Sequence, residues 1–411
     1  MNASRVLLAK NRDFRRLFLA SVISLAGDWF SYVAVAELVT SVTGSAGAAA
    51  YIYAATVLPV FFASPIAGAA ADRYDRRRML VIADLARVPL ALMLCVAAAL
   101  HSVPIATIAI IALGVGASFS DPVASAATPN LVDAADLPTA QALMGAVWGS
   151  MVFVGAGLGA LVAALFGRQT VFVVDAVSFL ASAWLIAGIR RPLQLEAPAP
   201  RPPGQMREAI RYIRADGTIK RLILGKTGVS CANGTVGLLP AFAHARFAGT
   251  GMATGLMLAA RGLGALLGPL LARAVAGSAP TRRAIVIVCG CSTLSYAAFY
   301  TLVPGAPWFP LVLLLLVLAH LGGGAQWSLS TYGLQVATPD HLRGRVMSLD
   351  YGLATLAIGL SAIAAGTIAN RAGPATATYG LAAVAGVYGI GWLAWCAPLL
   401  RRPPPSTPER P

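Results

Sequence analysis

Charge is scarce in this chain. Only 11% of its 411 residues are Asp, Glu, Lys or Arg. A soluble domain carries roughly 25–35% charged residues on its surface, so that class is excluded. Acids are the rarest, with 16 Asp and Glu against 31 Lys and Arg. The resulting net charge of +15 does not point to nucleic acid. The basic residues sit in alternate connections rather than on one face with interleaved aromatics. Cysteine is sparse and badly spaced for chemistry. Cys95, Cys231, Cys289, Cys291 and Cys396 all lie in apolar runs. Their odd number and lack of ligand spacing argue against a disulfide framework or a metal centre. Nucleotide loops are missing too. Gly225-Lys226-Thr227 ends like a phosphate loop, but Lys220 stands where its first glycine belongs. Gly262 and Gly264 follow no strand pattern. There is no nucleophile elbow, zinc motif or iron–sulfur spacing. The expectation is a protein that is not an enzyme, holds no metal or cofactor, and binds neither nucleotide nor nucleic acid.

What the chain has is apolar length. Hydrophobic residues make up 58%, and the mean hydropathy is +0.74. Twelve spans can be drawn: 17–41, 48–71, 79–100, 103–126, 139–166, 170–189, 220–244, 252–276, 283–303, 308–336, 345–370 and 375–400. Each is long enough for a roughly 30 Å hydrocarbon layer, which takes about 20 residues. The connections alternate in charge. One side carries Arg5, Lys10, Arg12, Arg15 and Arg16, then Arg73 and Arg76 to Arg78, then Arg190, Arg191, Arg207, Arg211 and Arg214, then Arg273, Arg282 and Arg283, then Arg343 and Arg345, then Arg401 and Arg402. The other carries only Arg168, Arg246 and Arg371. By the positive-inside rule the first side is cytoplasmic, and both termini lie there. The basic segment 1–16 reads as a cytoplasmic arm, not a signal peptide. The expected location is a membrane, crossed many times by the chain.

A break in composition divides the spans six and six. Pro192, Pro198, Pro200, Pro202 and Pro203 form an extended linker. Met206, Ile210, Tyr212 and Ile213 then recur at helical spacing among arginines, as in an amphipathic helix on the cytoplasmic membrane surface. The expected units are a six-helix bundle over 1–190, a linker over 191–219, a second bundle over 220–400 and a disordered tail over 401–411. The halves echo each other weakly: Asp136-Leu137 to Gly167 and His341-Leu342 to Gly373 align about 205 residues apart.

Residues 68–78 read Gly-Ala-Ala-Ala-Asp-Arg-Tyr-Asp-Arg-Arg-Arg, between two apolar runs. A glycine, three small residues, Asp72-Arg73 and a basic cluster resemble the loop between helices 2 and 3 of the major facilitator superfamily. Further stretches resemble one bacterial branch, the enterobactin-type siderophore exporters and macrolide-type efflux proteins. These are residues 11–17, 24–29, 172–179 and 335–346: Asn-Arg-Asp-Phe-Arg-Arg-Leu, Ser-Leu-Ala-Gly-Asp-Trp, Phe-Val-Val-Asp-Ala-Val-Ser-Phe and Gln-Val-Ala-Thr-Pro-Asp-His-Leu-Arg-Gly-Arg-Val. The resemblance implies an all-α fold of twelve transmembrane helices in two pseudo-symmetric bundles. It also implies a latch closing the cytoplasmic side, built from Gly68, Asp72, Arg73, Arg76, Asp121, Arg343 and Arg345. The fifth span departs from drug/proton antiporters: Gly155, Gly157 and Gly159 are present without the usual proline.

An ionisable side chain at mid-bilayer costs about 2.5–3.5 kcal/mol on insertion scales, so it should face a cavity or a partner. Asp28, beside Trp29 in the first span, is the candidate proton-coupling carboxylate, with Glu37 a second near the outer end. Structural hydrogen bonding is the alternative for Asp28. Asp84 and Arg87 share a helix face and pair locally. Asp175 and Asp350 read as helix–helix bonding. Arg261 and Lys226 are cations inside spans; pairing of Arg261 with an acid is favoured slightly over substrate binding, and Lys226 is expected to snorkel to the headgroups. Trp29, Asn233, Arg261, His320, Gln326 and Trp327 are the expected cavity residues, with ordinary packing as the competing use. The whole reads as a secondary transporter acting as a monomer. It would export a small amphipathic compound, siderophore or drug-like, by proton antiport. A lysophospholipid flippase and a transport-inactive sensor or scaffold are the alternatives.

Overall fold

Backbone N–H and C=O groups find no water in hydrocarbon, so a chain this apolar must satisfy them internally, and helices do so within one segment. A computed structural model describes residues 3–133, 136–194, 205–247, 251–277 and 280–401, and among them every regular element is helical. The helices are α1 (Ala3–Lys10), α2 (Arg12–Thr43), α3 (Ala48–Arg73), α4 (Arg76–Ala99), α5 (Val103–Leu131), α6 (Leu137–Phe166), α7 (Arg168–Ala187), α8 (Gln205–Ala215), α9 (Gly217–Ser230), α10 (Leu239–Arg246), α11 (Gly251–Ala276), α12 (Arg282–Leu302), α13 (Phe309–Ala337) and α14 (Asp340–Arg401). Short polar side chains start them. Asn11 Oδ1 accepts from Phe14 N–H at 3.0 Å, and Asp75 Oδ1 accepts from Arg78 N–H at 2.8 Å. Such caps satisfy amides that the first turn leaves unpaired.

Ten helices among the described residues are long and apolar enough to cross a membrane. The expected count of twelve is not met helix for helix, for two reasons. The seventh span is broken: α9 and α10 are separated by a short 3-10 segment, Asn233–Leu238. The last two spans run together as α14, 62 residues long. At 1.5 Å per residue that would be about 93 Å, three bilayers deep. Gly373, at φ 86° and ψ 159°, folds it in the middle. Gly167, between α6 and α7, takes nearly the same conformation at φ 83° and ψ 162°. A side chain is disfavoured there, so both turns need glycine. The two glycines end the segments that echo each other in sequence.

In the first half α2 packs on α6 and α7, α4 on α5 and α7, and α3 on α5. In the second half α11 packs on α13, and α12 on α13 and α14. The halves meet where α6 packs on α11 and α3 on the first part of α14. Small residues set these contacts. A Cβ on Gly255 would stand 2.1 Å from Ala160 Cβ, and one on Gly262 would stand 2.3 Å from the backbone of Phe153. At the end away from the basic connections the halves are tied directly. Ser45 Oγ donates to Asn370 Oδ1 at 2.7 Å, Gly47 N–H to the same oxygen at 2.8 Å, and Tyr51 and Thr367 hydroxyls lie 3.1 Å apart. Large apolar side chains such as Phe166, Trp184, Leu270 and Val387 are exposed, as suits helices whose solvent is lipid.

The amphipathic helix of the linker is present as α8, but its apolar face is spent partly on protein. Ala209 is fully buried, Tyr212 and Ile213 pack into the second-half core, and Tyr212 Oη donates to Ala337 O at 3.1 Å. The tail after residue 401 and most of the proline linker lie outside the described residues.

Candidate functional site: three buried cations and their partners

Buried among the described residues are three cations: Arg87, Lys226 and Arg261, with exposures of 2%, 3% and 4%. Each sits in a different electrostatic setting.

Arg87, on α4, reaches α2. Its Nη2 donates to Asp28 Oδ1, and its Nη1 to Ser24 Oγ at 3.1 Å. Nη1 also lies 3.7 Å from Asp84 Oδ1, one turn back on α4. The guanidinium stacks 3.9 Å over the ring of Phe179 on α7. Asp175, on α7 and fully buried, accepts from Ser31 Oγ of α2 and lies in electrostatic reach of Arg87. Two carboxyls therefore lie against one guanidinium, with a third in electrostatic reach. Glycines make the approach possible: a Cβ on Gly116 would meet Arg87 Cγ at 2.7 Å, and one on Gly27 would meet Asp175 Oδ1 at 2.4 Å. The Asp28 side chain is 28% exposed, against 3% for Asp84. Asp28 is thus the least covered member of the cluster.

Lys226, on α9, pairs with Asp350 of α14. Its Nζ donates to Asp350 Oδ2 and to Thr331 Oγ1, the latter at 2.9 Å, and lies 4.7 Å from the Trp327 ring centroid. Snorkelling to the headgroups is therefore corrected. The span breaks just beyond Lys226, and its ammonium turns inward to a buried acid. This pair joins one base to one acid.

Arg261, on α11, has no acid partner among the described residues, which corrects the expected pairing with Asp28 or Glu37: Asp28 is taken by Arg87. Its Nη2 donates to Tyr53 Oη at 3.1 Å, and Tyr53 Oη donates to Asn233 Oδ1 at 2.8 Å. Its Cζ lies 5.4, 5.5 and 5.7 Å from the rings of Trp29, Trp148 and Tyr53. Nε and Nη1 have no hydrogen-bond partner. This cage draws on α2, α3 and α6 of the first half, and on α11 and the broken segment of the second.

The remaining candidates are dispersed. Glu37 lies nine residues beyond Asp28, about 13 Å along the helix, half-buried and in reach of Arg168 and His244. His320 Nε2 is 2.9 Å from Tyr300 Oη, and Tyr296 Oη is 3.0 Å from Thr235 Oγ1. Gln326 Nε2 donates to Gly225 O, Cys289 O and Thr293 Oγ1 at 2.6, 3.2 and 2.8 Å. Both side chains are buried in helix packing rather than presented to a cavity, because neighbouring helices already supply their hydrogen bonds. Trp327 is 38% exposed and meets Tyr351 edge-on.

Of the expected latch, Gly68 and the side chains of Asp72, Arg73 and Asp121 lie outside the described residues. Arg76 donates to Ala126 O at 3.0 Å and Leu193 O at 3.3 Å. Arg343 donates to Gln335 O at 3.1 Å, and Arg345 to Glu208 Oε2 of α8 at 3.3 Å.

Tyr53, Ser24, Ser31 and the joint role of Arg87 with Asp175 were not legible in advance. The available signal was a count: Asp28, Asp84, Arg87 and Asp175 all fall within spans, and none is cheap there.

Comparison with known proteins agrees with this architecture. The chain is 30% identical over 379 residues to the multidrug efflux pump Tap of Mycolicibacterium fortuitum, covering 87% of this chain and 89% of that one. It is 28% identical over 389 residues to Tap of Mycobacterium tuberculosis, covering 87% of each. The fold matches a bacterial homologue of the human lysosomal transporter Spinster, in an inward-facing and unoccupied conformation, with a TM-score of 0.72 at 13% identity over 96% of this chain and 99% of the other. Residues 7–395 match the family model described as transmembrane secretion effector. The chain belongs to that family of the major facilitator superfamily, and it is a multi-pass membrane transporter of small molecules, not an enzyme.

Proposed function

We propose that the protein exports amphipathic, drug-like compounds across the bacterial cytoplasmic membrane, by proton antiport with alternating access. The efflux-pump relatives support the cargo class and direction. The observation that carries the coupling is the cluster of Asp28, Asp84 and Asp175 around the single cation Arg87. In low dielectric one guanidinium offsets one carboxylate, and further ionised acids beside it repel each other. Such a group exchanges protons rather than holding a fixed charge.

Asp28, the least covered member, is the port to water. Taking up a proton there removes the charge that holds Arg87 Nη2. Arg87 then has Asp84 as its alternative partner on its own helix. The swap loosens α2 from α4, which Arg87 then holds only through Ser24, a two-state change that a proton biases. Residues 1–190 would rock against 220–400 around the Arg261 cage, joined by the linker 191–219. The basic connections face the cytoplasm in this reading, and one chain suffices. The latch of Asp72, Arg73, Arg76 and Asp121 against Arg343 and Arg345 belongs to the same cycle, closing the cytoplasmic side.

A siderophore is a narrower case of the same cargo. A chelating anion would want more than one free cation, and Lys226 is matched by Asp350. The relatives therefore favour drug-like compounds.

The test is transport in proteoliposomes with an imposed pH gradient, using a fluorescent efflux dye. Movement of dye against the proton flow, abolished by a protonophore, is expected. Dye movement insensitive to the gradient would overturn proton antiport.

A further inference from the structure

Arg261 differs from the other two buried cations in one respect: no carboxylate among the described residues answers it. Cation–π contacts with Trp29, Trp148 and Tyr53 offset part of the cost of burying this charge. A buried ion also needs its donors met. Those of Arg261 are only partly met. One Nη2 hydrogen goes to Tyr53, and Nε and Nη1 have no acceptor. Each hydrogen-bonding edge of the planar fork keeps an open donor. Tyr32 adds another: it packs edge-on to Trp29 and to Tyr53, with centroids 5.5 and 5.9 Å away, and its hydroxyl also lacks a partner. One wall of the cage, Trp148, is 46% exposed, while Arg261 itself is buried. Unmet donors, an unbalanced positive charge and aromatic walls call for one kind of guest.

We infer that Arg261 receives an ionised oxygen of an aromatic cargo, such as a carboxylate, phenolate or enolate, while Trp29 and Trp148 contact its rings. The site selects cargo by charge, and planar guanidinium donors suit an oxyanion better than an ammonium does. The link from Arg261 through Tyr53 to Asn233 also connects an occupied site to the break in the seventh span, where Gly234 N–H donates to Ser361 Oγ of α14 at 2.9 Å. The inference rests on the transport reading only for the word cargo; the anion preference is a property of the site itself.

The experiment uses the full chain in lipid nanodiscs and two shape-matched probes, 2-naphthoate and 2-naphthamide, measured by equilibrium dialysis. Wild type is expected to prefer the anion by about ten- to a hundredfold, the scale of a hydrogen bond to a charged group. R261Q should erase the preference while keeping naphthamide affinity, which also reports that the variant is folded. R261K should keep part of it. Equal binding of both probes by wild type, or an undiminished preference in R261Q, overturns the inference. Gradient-driven movement of fluorescein, an aromatic dye with a carboxylate and a phenolate, is read in proteoliposomes in parallel. Dye movement without anion preference overturns this site and leaves transport standing. Anion preference without dye movement supports the site and counts against the transport reading.

Discussion

The two halves of the chain bury charge differently. In the first, Arg87 faces Asp28, Asp84 and Asp175 from three helices. In the second, Lys226 faces Asp350. The second arrangement is closed, with matched charge and side chains 3% and 1% exposed. The first is surplus in acid and keeps Asp28 28% exposed. A matched, sealed pair fastens helices. An unmatched, partly open cluster is the one we propose exchanges protons. Between them stands Arg261, a cation with no acid partner among the described residues, at the meeting of the halves.

Breaking either pair from the base side should have the largest effect. Arg87→Met leaves three acids with no cation, a loss of about 3–5 kcal/mol by the precedent of buried pairs. Thermal unfolding in detergent should fall sharply and efflux should cease; a variant as stable as wild type would mean that the acids do not depend on Arg87. Lys226→Met should destabilise by a similar amount. Here the comparison sharpens, because removing both partners, Lys226→Met with Asp350→Leu, should recover most of the stability and keep gradient-driven efflux, since apolar replacement of a matched buried pair is often neutral. If that double variant folds but loses coupling, the second pair is more than a fastener. The smallest effect compares the two turns. Gly167→Ala and Gly373→Ala each place a side chain at positive φ, at about 1–2 kcal/mol, and melting shifts of equal size are expected. A shift at one site only would show that the two turns are not equivalent.

Much of the envelope was legible in the sequence. Hydropathy located the long apolar helices. The break at Asn233–Leu238 was missed because apolar residues on both sides of it carry the span through. Gly234, Gly237 and Pro240 mark it only once it is known. The merging of the last spans at Gly373-Pro374 is a matter of one residue's φ, which hydropathy does not report. Asp28 stood out because a lone acid in oil is costly. Its partner did not, since Arg87 lies 59 positions away and helical periodicity says nothing about which helices meet. Arg87 looked satisfied by Asp84, and that contact exists at 3.7 Å, but the contact to Asp28 is closer. Lys226 was misjudged from its distance to the span end, which gives depth and not direction. Arg261 was expected to have an acid because buried cations usually do; the aromatic rings that flank it come from three helices of the other half.

The account turns on the first-half cluster as the proton carrier. The direct measurement is cargo movement in proteoliposomes, with and without a pH gradient, for Asp28→Asn beside the Lys226→Met and Asp350→Leu double variant. Asp28→Asn should still fold and exchange cargo at equal pH, yet gain nothing from the gradient, while the double variant stays gradient-driven. An Asp28→Asn protein that the gradient accelerates as strongly as wild type would contradict the assignment.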